Sequence, residues 1–527
     1  MRFSQAYTSG DERCGHLLKR QARAASDREA AVRDAATRRV PDAVLAALER
    51  HSATGDACRA HLDVLARGGA AAVLTGQQVG LFLGPLYTVY KAASAVVAAR
   101  ALQSACGVPV VPIFWLQTED HDFDEVATTW IPQGAAEPRP LRVEAPDASP
   151  ISMAHRRFDP AIDEVIAELE ATIGNLPHAA ATLDVIRRHY HVGATWPDAF
   201  AGWLRELFGP SGLLVIDPRD RGLAAAAAPV HRRAIASADV IARGLDERCA
   251  RLTELGFDTQ VYVRPGAPLS FFHPDGPEGP RHRLDRDGDV YTVVGGEGRS
   301  TASTLLAELE SNPRAFSTSA LLRPILQDTW FPTAAYVGGP GEIDYFAQMG
   351  PVYEAFDLPM PVIVPRARFT IVETRTARTL QSLNLTADDA AAPLDELLKK
   401  ASGGATRRGR AALEAELVAR MKSALDEAAP AWRGLGGLER AHAKTAATIE
   451  GTIQRFTDKY ERAVLHEDED RVDRARRIRW ALQPNDAPQE RVFGLPYFAA
   501  RYSAERVVED VLARCRPFEG ALQEITW

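Results

Sequence analysis

The sequence predicts an α/β protein whose parallel-sheet core is followed by a helical hairpin. Residues 70–116 read as strand, glycine-bearing turn, helix and strand, which is the βαβ unit of a parallel sheet. Short apolar runs at 212–217, 334–337 and 361–364 supply further strands of the same kind. From about residue 376 the pattern changes to apolar residues at helical spacing, which indicates long helices.

Each element of the βαβ unit has its own signal. Residues 11–67 show helical spacing of apolar side chains, and residues 70–74 then form an apolar run that ends just before a glycine. A Gly-Pro pair precedes residues 86–102, and proline suits the first turn of a helix because the leading N–H groups there have no internal partner. The apolar run 108–116 is the next strand.

The strand signals are not contiguous, because polar, proline-rich or amphipathic stretches interrupt them. We therefore expect one discontinuous α/β domain that carries insertions. The predicted domains are an N-terminal helical segment packed on the core (1–67), a discontinuous core (68–135, 201–269 and 316–375), connecting insertions (136–200 and 270–315) and a C-terminal helical domain (376–527).

The C-terminal helices are predicted to form a hairpin. Leu413, Leu417, Met421 and Leu425 repeat every fourth residue, a break follows at Pro430, and apolar spacing then resumes. Two long helices joined by such a turn fold back on each other. The hairpin either packs on its own domain or offers a surface for a dimer, and spacing alone leaves both alternatives open.

Composition argues against several classes of protein. Of the 527 residues, 46% are hydrophobic and 25% charged, which is the balance of a folded protein without extended disorder. The net charge of −8 marks no surface for a polyanion, so we expect no nucleic-acid partner. No run reaches about 18 uncharged apolar residues, and the opening residues lack the apolar core of a secretory signal. We therefore expect a cytoplasmic protein without a membrane partner.

The cysteines argue against a metal site. They are five in number, and the closest two, Cys14 and Cys58, are 44 residues apart. Such spacing builds neither a local disulfide framework nor a CxxC knuckle, so we expect no zinc, and we assign no residue as a metal ligand. Each cysteine is more typical of a small buried residue than of a nucleophile.

Three segments carry the residues on which chemistry could depend. The first glycine segment, residues 75–91, reads TGQQVGLFLGPLYTVYK and follows a strand. Its glycines let backbone N–H groups approach a ligand, and the helix start attracts phosphate or carboxylate, although many such turns are merely tight. The substrate-binding or nucleotide-binding candidates in it are Thr75, Gly76, Gln77, Gln78, Gly84, Pro85, Tyr87 and Lys91.

The acidic segment, residues 115–126, follows the next strand and crowds five acids around one histidine. Crowded carboxylates repel, so some must be protonated, hydrogen-bonded, paired with arginine or bound to a cation. Magnesium would suit such oxygen ligands, and the alternative is a solvated acidic loop. Histidine is the natural proton carrier at neutral pH. The catalytic candidates are Glu119, Asp120, His121 and Asp122, and the binding candidate is Trp115.

The second glycine segment, residues 336–350, repeats the design of the first at another strand end. Two such turns that face each other would enclose a small polar molecule, and an acidic residue there could bind an amine or sugar hydroxyls. The alternative for Glu342 is a favourable charge in the first turn of a helix. The binding candidates are Gly338, Gly339, Gly341, Glu342 and Tyr345.

Together, these segments resemble the family of cysteine-adding enzymes of bacillithiol biosynthesis. The matching stretches are TGQQVGLFLGPLYTVYK, PIFWLQTEDHDFDE, LLVIDPRD and YVGGPGEIDYFAQMGPVYE, in the order of the family. The resemblance implies a Rossmann-like core of the class I aminoacyl-tRNA synthetase type with connecting insertions. It also implies a C-terminal coiled coil through which the family forms homodimers. The implied reaction joins L-cysteine, through its carboxyl group, to the amine of glucosaminyl malate.

The sequence departs from ordinary class I synthetases. Residues 82–85 stand where such enzymes carry their first nucleotide-binding signature, and the two histidines of that signature are absent. The second signature needs lysines, and none occurs between Lys91 and Lys399; arginine does not replace a compact ammonium group. The cofactor is therefore unknown from the sequence. ATP with magnesium is one option, because the cysteine carboxyl must be activated before it reacts with an amine.

Two other functions are compatible with the sequence at this stage. A catalytically silent synthetase-like scaffold would explain the missing lysines, although the acidic segment and the two glycine segments argue against it. A nucleotidyltransferase acting on another acid is the second alternative. Likeness of fold does not choose among them, because one architecture hosts many reactions.

Overall fold

The computed structural model describes residues 1–134, 136–145, 149–261, 266–296, 298–402, 409–436 and 438–527. The chain forms two compact units. The larger unit comprises residues 1–131, 139–369 and 490–523, and the smaller comprises residues 132–138, 370–489 and 524–527. Residues 490–523, part of the predicted C-terminal helical domain (376–527), pack within the larger unit.

The strands of the described chain are connected by helical stretches in some places and by short turns in others. They are β1 (Ala71–Gln77), β2 (Val110–Leu116), β3 (Thr128–Gln133), β4 (Ala136–Arg142), β5 (Leu214–Ile216), β6 (Ser270–Phe272), β7 (His282–Asp287), β8 (Val290–Val293), β9 (Arg299–Thr301), β10 (Phe316–Thr318), β11 (Thr333–Gly338), β12 (Val362–Pro365), β13 (Arg368–Val372) and β14 (Leu522–Thr526).

The α-helices of the described residues precede, connect and follow these strands. They are α1 (Phe3–Ser9), α2 (Ala25–Ala35), α3 (Asp42–His51), α4 (Asp56–Arg67), α5 (Tyr87–Cys106), α6 (Phe123–Val126), α7 (Ala161–Ile173), α8 (Ala179–His189), α9 (Trp196–Phe208), α10 (Ala224–Ala236), α11 (Ala238–Glu254), α12 (Ala302–Ser311), α13 (Arg323–Trp330), α14 (Pro340–Phe346), α15 (Gly350–Ala355), α16 (Thr374–Ser382), α17 (Leu394–Ala401), α18 (Arg410–Ala428), α19 (Leu438–Leu465), α20 (Glu469–Leu482), α21 (Gln489–Val492), α22 (Leu495–Tyr502) and α23 (Ala504–Arg514).

The core of the larger unit is a five-stranded parallel sheet in the order β12-β11-β1-β2-β5. Strands β2, β5, β11 and β12 are buried along their whole length, as expected for a parallel sheet covered on both faces. In β1 only Gln77, at the carboxyl end, is partly exposed. The predicted parallel α/β core is therefore confirmed.

Helix α5 makes the crossover between β1 and β2 and packs on both strands. It is rich in alanine, so its backbone can lie close to the sheet, and it ends at Gly107, whose φ of 66° is the left-handed conformation of a common helix cap. A second sheet, in the order β10-β6-β7-β8-β9, is antiparallel. Most of its strands come from the stretch predicted as an insertion at 270–315.

In the smaller unit, α18 and α19 pack against each other as an antiparallel hairpin. Arg410 near the start of α18 pairs with Asp458 late in α19, while Lys422 further along α18 pairs with the earlier Glu450. The predicted helical hairpin is therefore confirmed. A separate apolar cluster around Leu398 and Leu465 forms the core of this unit. Among the described residues, no helix is long and apolar enough to cross a membrane.

Candidate active site

A cavity of about 390 Å³ lies at the carboxyl ends of four parallel strands. Gln77 ends β1, and the residues directly after β2, β11 and β12 are Gln117, Gly339 and Arg366. This edge is where open α/β sheets bind ligands. We call it the strand-end cavity; it is lined by Gly76, Gln77, Gln78, Tyr87, Lys91, Gln117, Asp120, Glu125, Gln260, Val261, Ala320, Arg323, Gly339, Pro340, Gly341, Glu342, Tyr345, Arg366 and Arg491.

The three segments singled out in the sequence meet at this cavity, but only part of each one lines it. The predicted site residues that line it are Gly76, Gln77, Gln78, Tyr87, Lys91, Asp120, Gly339, Gly341, Glu342 and Tyr345. Those that lie outside its lining are Thr75, Gly84, Pro85, Trp115, Glu119, His121, Asp122 and Gly338. The chemical roles of all of them remain predictions.

The start of the first glycine segment is held by Lys91 of α5. The Lys91 ammonium donates to the backbone oxygen of Gly76 at 2.7 Å and to the side-chain oxygen of Gln77 at 3.0 Å. Gln77 in turn donates to the Tyr87 hydroxyl at 3.3 Å, and burial raises the pKa of Tyr87 to about 12. Tyr87 is therefore a neutral hydroxyl at physiological pH. Thr75 bonds inward to the backbone oxygen of Val337 at 2.9 Å and supports the sheet.

The later part of the first glycine segment turns away from the cavity. Gly84 is buried, and Leu83 donates its backbone N–H to the Tyr190 hydroxyl at 3.1 Å. Pro85 bridges to Gly494, whose segment covers the turn. The Gly84-Pro85 pair is thus packed among other parts of the larger unit and does not face the strand-end cavity.

The acidic segment places two carboxylates at the cavity. The Gln78 amide donates to Asp120 at 2.9 Å and to Glu125 at 2.7 Å, which holds both oxygens on one side of the space. Asp122 is exposed and caps the short helix α6 by accepting from the backbone N–H of Glu125 at 3.3 Å. The hydrogen bonds from Gln78 therefore relieve part of the crowding of carboxylates that the sequence predicts.

Glu119, His121 and Trp115 of the acidic segment do not line the cavity. Glu119 is buried, accepts from the Thr318 side chain and backbone, and has a pKa raised by its burial. Arg281 donates to the backbone oxygen of Glu119. Burial also lowers the pKa of His121, with the charge of Arg281 acting in the same direction, so this imidazole is neutral at physiological pH.

Trp115 is fully buried in β2, and its ring lies 5.6 Å from that of Trp330. It also explains the glycine that pairs with it in the sheet. A Cβ on Gly76 would lie 2.8 Å from the Trp115 backbone oxygen, so only glycine fits there. Trp115 therefore shapes the cavity floor through Gly76 without lining it.

The second glycine segment presents Glu342, whose carboxylate is fully engaged. It accepts from the Tyr336 hydroxyl at 2.5 Å and from the backbone N–H of Gly339 at 2.8 Å, and it forms an ion pair with Lys91. Burial would raise the pKa of Glu342, but Lys91 holds it below its ordinary value. Burial likewise lowers the pKa of Lys91, and Glu342 opposes that shift. This pair joins the first glycine segment to the second.

Two buried arginines complete the cationic side of the cavity. Arg366, after β12, makes a two-point ion pair with Glu490 at 2.8 and 2.9 Å and lies over the Tyr87 ring. Arg323, at the start of α13, donates to the Tyr345 hydroxyl at 2.9 Å and to the Gln327 side chain at 2.8 Å. Arg323 has neutral hydrogen-bond partners, whereas Arg366 has a carboxylate.

Several lining residues were not predicted from the sequence. Gln117 and Arg366 carry a signal that could have found them, because each directly follows a parallel strand. Arg323 and Arg491 carry none, since each comes from a helix whose place in the fold is set by tertiary packing. No cluster of three or more His, Cys, Asp or Glu side chains that could hold a metal ion occurs in the described part of the chain.

Comparison with known proteins gives a consistent result. The family description "Bacillithiol biosynthesis BshC, N-terminal Rossmann-like domain" matches residues 1–367, and "Bacillithiol biosynthesis BshC, C-terminal coiled-coil domain" matches residues 369–526. A protein of Koribacter versatilis is 34% identical over 89% of this chain and 86% of its own length. Proteins of Salinibacter ruber and Geobacillus thermodenitrificans are 32% and 31% identical over 93% and 90% of this chain, and 89% and 88% of their own lengths. All three are named "Putative cysteine ligase BshC".

Proposed function

The chain belongs to the bacillithiol biosynthesis BshC family, and from this premise we propose that it is a ligase that joins L-cysteine to glucosaminyl malate. The bond formed is an amide between the cysteine carboxyl and the glucosamine amine. The product is the thiol bacillithiol. The proposal includes a cytoplasmic location, where low-molecular-weight thiols stay reduced.

The observation that carries this proposal is the mixed charge of the strand-end cavity. Asp120 and Glu125 contribute carboxylates, while Lys91, Arg323 and Arg366 contribute cations to the same space of about 390 Å³. That volume suits small molecules. Both proposed substrates carry an amine together with carboxylate groups, so each needs both signs of charge in its binding site.

The chemistry requires one proton acceptor and one activated carboxyl group. The amine must lose a proton before its nitrogen attacks the cysteine carboxyl carbon, and the group that activates the carboxyl leaves as the C–N bond forms. We assign the proton to Asp120, which lines the cavity and is held by the Gln78 amide. A phosphoryl donor such as ATP with magnesium would supply the activation.

The remaining predicted catalytic residues are assigned positioning roles. Glu119 ties the acidic segment to Thr318 of β10, and Asp122 caps α6, which carries Glu125 towards the cavity. His121 lies next to Asp120 in the chain and donates its backbone N–H to the Asp120 carboxylate at 2.8 Å. In this proposal these contacts fix the direction of the Asp120 side chain.

The proposal is tested by following bacillithiol formation with mass spectrometry. Purified protein is incubated with L-cysteine, glucosaminyl malate, ATP and Mg²⁺, and ATP and Mg²⁺ are then omitted in turn to identify what activates the carboxyl. We expect D120N to lower turnover at least about 100-fold, the usual scale for loss of a general base. Binding of both substrates without any product would instead favour the catalytically silent scaffold.

Asp124 offers a matched control for Asp120. It belongs to the same acidic segment but is exposed, pairs with Arg142 and does not line the cavity. We expect D124N to retain turnover within about twofold, because exposed ion pairs contribute little. Equal losses in D120N and D124N would show that the segment acts only through its overall charge, and the assignment to Asp120 would be withdrawn.

We also propose that the protein is a homodimer through the hairpin of α18 and α19. The supporting observation is that α18 has no buried residue and that Phe456 of α19 is 55% exposed. Light scattering of the wild type should give twice the mass of one chain. A Phe456→Glu variant should shift that mass towards the monomer, and a monomeric wild type would contradict the proposal.

A further inference from the structure

We infer that Arg323 binds a malyl carboxylate of the aminosugar substrate and so turns the substrate amine towards Asp120 and Glu125. This inference rests on the proposed function and deepens it, because it assigns each end of glucosaminyl malate to one side of the strand-end cavity. It also assigns to Arg323 the selectivity for a substrate that carries carboxylates.

Arg323 is a buried cation without a carboxylate partner among the described residues. Its exposed fraction is 2%, its hydrogen bonds go to Gln327 and Tyr345, and it forms no ion pair with any residue in the described ranges. Its Nε has no hydrogen-bond partner there either. A buried charge that lacks an opposite charge is destabilising, and each donor left unpaired adds to the cost.

The other buried cations of the cavity, in contrast to Arg323, each have a carboxylate partner. Lys91 pairs with Glu342, and Arg366 pairs with Glu490 through two hydrogen bonds. Glu342 lies close enough to influence Arg323 electrostatically, but its oxygens already accept from Lys91, Tyr336 and Gly339. An anionic ligand in the cavity is therefore the missing partner of Arg323.

The order of the strands places Arg323 and the two carboxylates on different sides of the cavity. The Arg323 guanidinium lies 5.0 Å from the ring of Tyr336 in β11, whereas Asp120 and Glu125 follow β2. Strands β11 and β2 lie on opposite sides of β1. At about 4.8 Å per strand, the two groups of side chains arise about 10 Å apart, and side chains that reach inward shorten that span. An aminosugar with a carboxylate substituent is of this size.

The chemistry of the reaction decides which carboxylate Arg323 binds. The cysteine carboxyl loses its negative charge when it is activated and becomes an amide, so a buried guanidinium would hold it in its unreactive form. The malyl carboxylates take no part in the reaction and keep their charge throughout. A fixed, buried arginine is suited to such a permanent carboxylate, because the planar guanidinium can donate two parallel hydrogen bonds to it.

The test compares R323Q with wild type on two substrates. One is glucosaminyl malate, and the other is its neutral analogue in which both malyl carboxylates are amides. We expect R323Q to lower kcat/KM for glucosaminyl malate by about 30-fold or more, the scale for truncating one partner of a buried charge pair, and to change kcat/KM for the diamide less than about threefold. Equal losses on both substrates would overturn the inference.

Further variants separate the charge of Arg323 from its shape and from general damage. R323K keeps a positive charge without the planar fork, so we expect a loss between those of wild type and R323Q. Arg314 is a half-buried arginine outside the cavity that pairs with Glu278, and R314Q should leave the preference for the charged substrate unchanged. Circular dichroism shows whether each variant is folded.

A binding measurement distinguishes failure of this inference from failure of the proposed function. Calorimetry with L-malate alone needs no turnover. Binding to wild type that is at least about tenfold weaker in R323Q supports the carboxylate subsite even if no bacillithiol is formed. Binding of equal strength in both proteins, or no L-malate binding to wild type, contradicts it.

Discussion

The two glycine segments follow neighbouring strands of one sheet, yet their glycines serve different purposes. A Cβ on Gly80 would lie 2.9 Å from the Cα of Gly84, so that glycine lets the chain approach itself. A Cβ on Gly341 would meet nothing within 4 Å, because this residue faces the strand-end cavity. Glycine after a strand therefore serves two purposes in this molecule. In the first segment it allows close approach of the protein's own backbone, and in the second it leaves open space at the cavity.

The two segments are also held in place by different forces. In the first, Lys91 holds only the start, whereas the later turn is fixed by packing and by the Tyr190 hydroxyl. This turn has three successive residues with positive φ, Phe82, Leu83 and Gly84, at 51°, 71° and 65°. The second is fixed by charge, since Glu342 reaches back to the N–H of Gly339 and pairs with Lys91. Variants that remove packing and variants that remove charge should therefore separate the two segments.

The largest effect is expected from Lys91→Met. This change leaves the Glu342 carboxylate buried without its cation, and breaking a buried pair by removing one partner costs about 3–5 kcal/mol. The free energy of unfolding of the larger unit, measured in urea by tryptophan fluorescence, should fall by that amount.

The control for Lys91→Met is the double variant K91M/E342Q. It removes the uncompensated charge, and the glutamine oxygen can still accept from the Gly339 N–H while the glutamine NH2 donates to the Tyr336 hydroxyl oxygen. More than half of the lost free energy of unfolding should return. A double variant no more stable than Lys91→Met would mean that Lys91 acts through packing, and the contrast between the two segments would disappear.

The next effect is expected from Gly80→Ala in the first glycine segment. Gly80 has an ordinary extended backbone with φ of −70°, so alanine is conformationally allowed and any loss is steric. Because the clashing atom belongs to the backbone of Gly84, the turn must shift, and overpacking of this kind costs about 1–3 kcal/mol. Urea unfolding measures this cost, and an unchanged midpoint would contradict the close approach.

The sequence predicted the fold well because the signals of the core are local. Buried parallel strands are short apolar runs, and the strand at 71–77 and the helix at 87–106 were each recognisable from their own residues. The packing of residues 490–523 within the larger unit was not recognisable in this way. Phe493 and Gly494 lie between two short helices, α21 and α22. Only their tertiary contacts with Leu86 and Pro85 bring them to the larger unit.

The candidate site was predictable only where it follows the strands. Gln77, Asp120 and Gly339 come at or just after strand ends and line the cavity, so topology alone indicated them. Within each segment, however, the sequence could not tell which side chains turn inward. His121 is adjacent to Asp120 yet lies outside the cavity lining. Arg323 reaches the cavity from α13, the helix that precedes β11.

A smaller effect is expected from Tyr190→Phe. The Tyr190 hydroxyl is the acceptor for the buried N–H of Leu83, and its removal leaves that donor unsatisfied. The expected loss is about 1–2 kcal/mol in the free energy of unfolding. Burial raises the pKa of Tyr190, so its hydroxyl is neutral at both pH 6 and pH 4. The loss in the free energy of unfolding should therefore be the same at these two pH values. A loss that changes with pH would sink this interpretation.

In the second glycine segment, by contrast, the contribution of Glu342 to the free energy of unfolding should depend on pH. The native pKa of Glu342 lies below its ordinary value of 4.5, so the unfolded chain takes up the proton first as the pH falls. Stability from this carboxylate is therefore fully present above about pH 4.5 and is lost as the pH falls through the native pKa. The difference in unfolding free energy between wild type and E342Q should shrink between pH 6 and pH 4. A constant difference would show that the charge is not what holds the turn.

The smallest effect on stability, and the sharpest separation of structure from function, is expected from Gly341→Ala. Gly341 lies inside α14, where alanine is the better helix former by about 0.5–1 kcal/mol, and its added methyl group meets no atom within 4 Å. The free energy of unfolding should stay equal or rise slightly. The methyl group nevertheless enters the cavity, so the KM for glucosaminyl malate should rise severalfold. Gly80→Ala, which should lose stability, and Gly341→Ala together test whether Gly341 serves ligand binding. An unchanged KM in Gly341→Ala would mean that substrate does not reach this turn.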